Sequence, residues 1–182
     1  MLSNERINEA ETNVGSYLNE GLLRKSSADN HVLNILLRNA KESLRVAEDT
    51  YQNRTSDLWV IVCSYYAMYY YTNAVLLKLG YKVGDKIVHK VTSDALIVFV
   101  RNKLKKSLLE SYEETKEEAL SLAGMKADSL IESFEFERYK RGLIQYRTIE
   151  SEKQSKAKTS LKRAKEFTRE MEKFLNSLGN RH

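Results

Sequence analysis

The chain has 182 residues, of which 30% are charged, and Lys and Arg outnumber Asp and Glu to give a formal net charge of +5 at pH 7. That length suits one domain with a real core, and the absence of proline, with only seven glycines, excludes a turn-rich β fold in favour of long helices. A lone cysteine, Cys63, excludes an internal disulfide and fits a reducing compartment.

The opening M-L-S-N-E-R-I-N-E-A-E is polar and acidic, unlike a signal peptide, so a cytoplasmic protein is expected. A first helix is predicted from Ser3 to Leu23, with Ile7, Ala10, Val14, Tyr17 and Gly21 along one face. The polar break K-S-S-A-D-N follows. A second helix then buries Leu33, Leu36, Ala40, Leu44, Ala47 and Tyr51, capped by Asp29 or Ser27, with Lys41, Glu42, Arg45, Glu48 and Asp49 outside.

The segment Asp57 to Gly80 is predicted to be the central helix, capped by Thr55 or Ser56. No charged side chain stands between Asp57 and Lys78, and two adjacent apolar seams require neighbours on most sides. The seams are Trp59, Val62, Tyr66, Tyr69, Asn73, Leu76 and Leu58, Ile61, Tyr65, Met68, Thr72, Val75, Leu79. A membrane span of this length is the rival reading. Tyr65, Tyr66, Tyr69, Tyr70 and Tyr71 argue against it, because mid-segment hydroxyls would face hydrocarbon. The tyrosines are read as core in preference to a stacking platform for bases, and Cys63 as a small core residue.

Gly80 reads as a helix stop, followed by the loop Y-K-V-G-D-K-I-V-H. The β-branched run from Thr92, S-D-A-L-I-V-F-V, is read as a helix because no other run could pair with it as a strand. Leu108, Leu109, Tyr112, Ala119 and Leu122 outline an exposed helix ending near Gly124, on which Glu113 with Glu117 and Glu114 with Glu118 form a solvated face. Another helix is expected from Met125 to Ile149, through Leu130, Phe134, Phe136, Tyr139, Leu143 and Tyr146, with a break from Glu150 to Gln154. The last helix buries Ala157, Leu161, Ala164, Thr168, Met171, Leu175 and Leu178 and carries a solvated stripe of Lys158, Lys162, Lys165, Arg169 and Lys173.

No phosphate loop, dinucleotide fingerprint, zinc-helix motif or Cys/His cluster is present, so neither a metal nor another cofactor is expected. The charge is uneven: residues 135 to 182 hold 13 Lys or Arg against 7 Asp or Glu, which is compatible with phosphate ligands.

The stretch S-Y-Y-A-M-Y-Y-Y-T-N-A-V-L-L-K-L-G-Y-K, followed by H-K-V, resembles the central signature of small prokaryotic HEPN-domain proteins. The closing Y-R-T-I-E-S-E-K-Q-S-K-A-K-T-S-L-K-R-A-K-E-F is similar to that family's last section. The resemblance covers roughly Asp29 to Leu178. It implies an all-α fold: one domain, residues 1–182, built as an up-and-down four-helix bundle. Its helices would be Leu33 to Tyr51, Leu58 to Leu79, Leu130 to Ile149 and Ala157 to Leu178, with an accessory N-terminal helix over 1–25 and one or two helices inserted at about 91–124.

It also implies a homodimer, a nucleotidyltransferase-type partner, and nucleotide or RNA binding. Active members of the family are metal-independent ribonucleases that place a histidine four to six residues after an arginine, supplying an acid/base group and a cation for the phosphorane. Here Arg147 is followed by T-I-E-S-E-K-Q-S without a histidine, and Arg138 and Arg141 have none in range. Arg24 and His31 match that spacing, but in the first break. The leading reading is therefore a binding module using Arg138, Arg141, Tyr146, Arg147, His89 and Lys90, His89 serving first to anchor the following helix. The alternatives are a ribonuclease in which Arg147 or Arg141 works with Tyr146 or His89, and a structural partner of a nucleotidyltransferase.

Overall fold

The computed structural model describes residues 2–132 and 139–179, with side chains over 2–124 and 154–179. Six helices and one small sheet follow in the order α1 (Asn4–Glu20), β1 (Leu23–Lys25), α2 (Asn30–Gln52), α3 (Asp57–Lys78), β2 (Tyr81–Val83), α4 (Val88–Val100), α5 (Lys106–Glu132) and α6 (Tyr139–Gly179). The helices dominate, as an all-α chain requires. None is long and apolar enough to cross a membrane among the described residues.

The helix starts are set locally. Ser3 accepts from the Arg6 amide, Asp29 from those of His31 and Val32, and Ser56 from that of Trp59, so each side chain satisfies amides that a first turn leaves without partners. Helix α3 stops where Gly80 takes φ 90°, a left-handed conformation that a side chain resists.

Helix α3 is the axis of the structure, packed by α2, α4, α5 and α6. Val60, Ile61, Tyr65, Met68, Tyr71, Thr72 and Val75 are buried, whereas Trp59, on the other predicted seam, is exposed. The core of α3 continues into Leu108, Leu109 and Tyr112 of α5 and Ala157, Leu161, Ala164, Phe167 and Met171 of α6. A second, smaller core of Val14, Tyr17, Leu23, Leu76, Val91 and Ala95 lies where α1, β1 and α4 meet the end of α3, with Tyr81 stacked on Phe99 at its edge.

Several expectations are corrected. The first helix ends at Glu20, and both the break after it and the loop after Gly80 contribute a strand: Leu23, Arg24 and Lys25 pair antiparallel with Val83, Lys82 and Tyr81. Helix α4 begins at Val88, ahead of Thr92. Gly124 does not end its helix, because without the left-handed turn a lone glycine only weakens a helix, and α5 runs on to Glu132. The break expected from Glu150 to Gln154 is absent: α6 is continuous from Tyr139, since a polar run lacking proline and glycine offers nothing that stops a helix. The stretch 139–149 is thus the start of α6 and not a separate bundle helix.

Helices α1, α4 and α5 are tied by ions as well as by packing. The Asp94 carboxylate, fully buried, stands 2.6 Å from Arg6 and accepts from the Tyr17 hydroxyl at 2.9 Å and the Asn13 amide at 3.0 Å. Arg6 also reaches Glu113 at 3.5 Å, and Lys116 binds Glu113 and Ser93 at 3.1 Å each. Ser93 closes the ring by donating to Glu113. A buried carboxylate needs such partners, because desolvation without them would force it to take up a proton.

Candidate functional site

The residues with chemistry that the fold brings together lie where the start of α4 meets α3 and α5. Ile87, Val88, His89, Lys90, Lys116 and Leu120 line an open depression of about 420 Å³. Ile87, which precedes α4, has φ 42° and provides no side-chain cap, although its carbonyl accepts from the amides of Lys90 and Val91.

His89 reaches inward from this rim. Its Nδ1 lies 2.7 Å from the hydroxyl of Tyr65, a fully buried residue of α3, and its ring touches those of Tyr65, Tyr66 and Tyr69 at centroid distances of 5.5, 6.0 and 5.1 Å. Burial pushes the Tyr65 phenol well up, so it keeps its proton. The buried Tyr112 hydroxyl leans on the Tyr65 oxygen as donor, which leaves the Tyr65 proton for Nδ1. We therefore assign His89 the tautomer with hydrogen on Nε2.

Burial and then the nearby Lys116 charge hold the His89 imidazole below its usual pKa, so it is neutral at pH 7. The result is a fixed neutral donor beside the exposed Lys90 and the Lys116 ammonium. Behind Tyr65, the Tyr112 hydroxyl is fully buried without a well-formed hydrogen bond, and its pKa is raised strongly by that burial.

Of the predicted site residues, the structure thus brings His89 and Lys90 to one rim. His89 does more than anchor the helix, since it is locked to the core by Tyr65. Arg138 lies outside the described residues; Arg141, Tyr146 and Arg147 belong to α6, but their side chains lie outside them too. Arg24 and His31 stand apart, on β1 and at the start of α2.

The carboxylates of α5 divide. Glu114 and Glu117 are exposed, whereas Glu113 joins the Asp94 network and Glu118 accepts from Ser160 at 3.0 Å. This corrects the uniformly solvated face. Among the described residues, no group of three His, Cys, Asp or Glu is placed to hold a metal ion. Cys63 is half-buried and its thiol is raised by that burial, which suits a packing residue better than a nucleophile.

Comparison with protein-family models, curated proteins and solved structures finds no match. Sequence reasoning singled out Tyr65 as core and His89 as a helix anchor but missed their bond and the contribution of Lys116. The 24 positions between the two rings follow no helical or strand period that could have revealed the pair.

Proposed function

We propose that this chain is a HEPN-type helical binding module, and that it recognises phosphates of RNA or nucleotides at the rim formed by His89, Lys90 and Lys116. One observation carries the reading. His89 is neutral and held through Nδ1 by Tyr65, which leaves Nε2–H as a fixed donor next to the exposed Lys90 and the Lys116 ammonium, the latter shared with Glu113. A donor with adjoining ammonium groups suits a phosphate oxygen, and the positive end of the α4 dipole adds to the same polarity. The basic C-terminal third extends the attraction to a polyanion.

The test is anisotropy of a labelled single-stranded RNA between low and high salt. Affinity should fall as salt rises, and Lys90→Ala should make that slope shallower by about one unit. Absence of binding, or binding without a salt slope, rejects the reading.

A ribonuclease is the second reading, because a neutral histidine near cations is also what acid/base chemistry on a phosphodiester uses. The assigned tautomer favours binding, since a base would need Nε2 free of its proton. RNA incubated with the protein in chelator should therefore stay intact. Cleavage that disappears in His89→Gln or Arg147→Ala would replace the binding reading with the enzymatic one.

A further inference from the structure

Helix α3 has one side that the described elements leave uncovered, and it borders the rim. Trp59 is 56% exposed although it belongs to a helix without a charged side chain between Asp57 and Lys78. Cys63, Tyr66 and Tyr70 follow it at spacings of four, seven and eleven, which place all four on one helix face, and all three are only partly buried. The strip is continuous with the rim: the Tyr66 ring lies 5.9 Å from that of Tyr70 and 6.0 Å from that of His89. Neither the Tyr66 nor the Tyr70 hydroxyl is hydrogen-bonded among the described residues, whereas Tyr65 next to them is fully engaged. From Trp59 to Tyr70 the helix rises roughly 16 Å, enough for a run of bases.

Building on the phosphate reading above, we propose that the ligand is a single-stranded nucleic acid whose bases stack on Trp59, Tyr66 and Tyr70 while its phosphates meet His89, Lys90 and Lys116. An exposed indole and two partly exposed phenols in line offer ring surface that any base can use, and cations beside them track the backbone. A second copy of the chain is the competing occupant. The strip is less suited to it, because a chain of net charge +5 repels its own copy, and the exposed Lys90 beside the strip serves a phosphate backbone instead. Duplex ligands are disfavoured as well, since their bases are already stacked and offer no free face.

Trp59 is the only tryptophan, so its fluorescence reports on this face alone. The experiment titrates the full chain with a single-stranded octaribonucleotide, a blunt duplex of the same sequence and inorganic polyphosphate. In parallel, labelled octaribonucleotide is bound to Trp59→Leu, Tyr66→Leu, Tyr70→Leu and Lys90→Ala, each checked for an unchanged thermal transition.

The expected result is quenching of Trp59 by the single strand only, with single-strand affinity about tenfold lower in Trp59→Leu and in at least one tyrosine variant. If the oligonucleotide binds with a salt slope that Lys90→Ala reduces, but Trp59 is not quenched or duplex binds equally well, the stacking face is overturned while the phosphate reading stands. If neither oligonucleotide nor polyphosphate binds, both fall. If Trp59 emission shifts with protein concentration alone, and Trp59→Leu turns a dimer into a monomer, the strip is a contact between copies and the proposal is overturned.

Discussion

The bond between Tyr65 and His89 joins the core to the rim, so a change of one oxygen atom should be felt at the surface. In Tyr65→Phe, Nδ1 loses the donor that favours the neutral ring, and the His89 pKa should rise, read by NMR titration of the imidazole protons. The fold should lose about 1 kcal/mol in the same variant. His89 also sets a pH dependence. Its folded pKa lies below the unfolded value of about 6.5, so the unfolded chain binds the proton more readily. Stability should therefore decline as pH falls from about 6.5 towards the folded pKa, and His89→Gln should flatten that decline in urea titrations at successive pH values. Ile87 gives a change in the opposite direction. A β-branched residue at φ 42° is strained, and this one is 56% exposed, so little packing is lost on replacement. Ile87→Asn should raise stability by about 1 kcal/mol, measured by the shift in urea midpoint.

At the level of elements, two glycines that look alike in sequence should respond differently to the same mutation. Gly80 holds φ 90° at the end of α3, so Gly80→Ala should destabilise by about 1–2 kcal/mol. Gly124 lies inside α5 with open space around the position of a Cβ, so Gly124→Ala should stabilise by up to about 1 kcal/mol. Opposite signs in thermal melts would check both, and equal signs would contradict the assigned helix ends. The caps of α2 and α3 were narrowed in the sequence to Asp29 or Ser27 and to Thr55 or Ser56, and the buried rows of α1, α5 and α6 were legible because each is a local pattern with a fixed period. The length of α6 was not legible: the segment E-S-E-K-Q is as acceptable inside a helix as after one, and helix propensity differs too little among those residues to decide.

For the molecule as a whole, the question is how α1 is held on the rest. Its principal packing is against α4 and β1, and Arg6, Asn13 and Tyr17 converge on the buried Asp94. Asp94→Ala leaves three polar groups without their acceptor and should cost about 3 kcal/mol, seen as a lower urea midpoint at unchanged slope. Asp94→Asn, which keeps the shape, should cost less. A loss confined to α1, with the remaining helices melting as before, would instead show that the network clamps a separable element. None of this was visible in the run S-D-A-L-I-V-F-V, which was read only as a helix.

The sequence by itself determined the helical class, the start of α1, two cap candidates each for α2 and α3, the stop at Gly80 and most of the buried rows. Each depends on residues within a turn or two of one another, where spacing and side-chain chemistry suffice. Only the tertiary structure decided the pairing of β1 with β2, the ion network on Asp94, the bond from Tyr65 to His89 and the uncovered strip beginning at Trp59. These rest on groups that are distant in the chain, or on a neighbour being absent, and no local period records either.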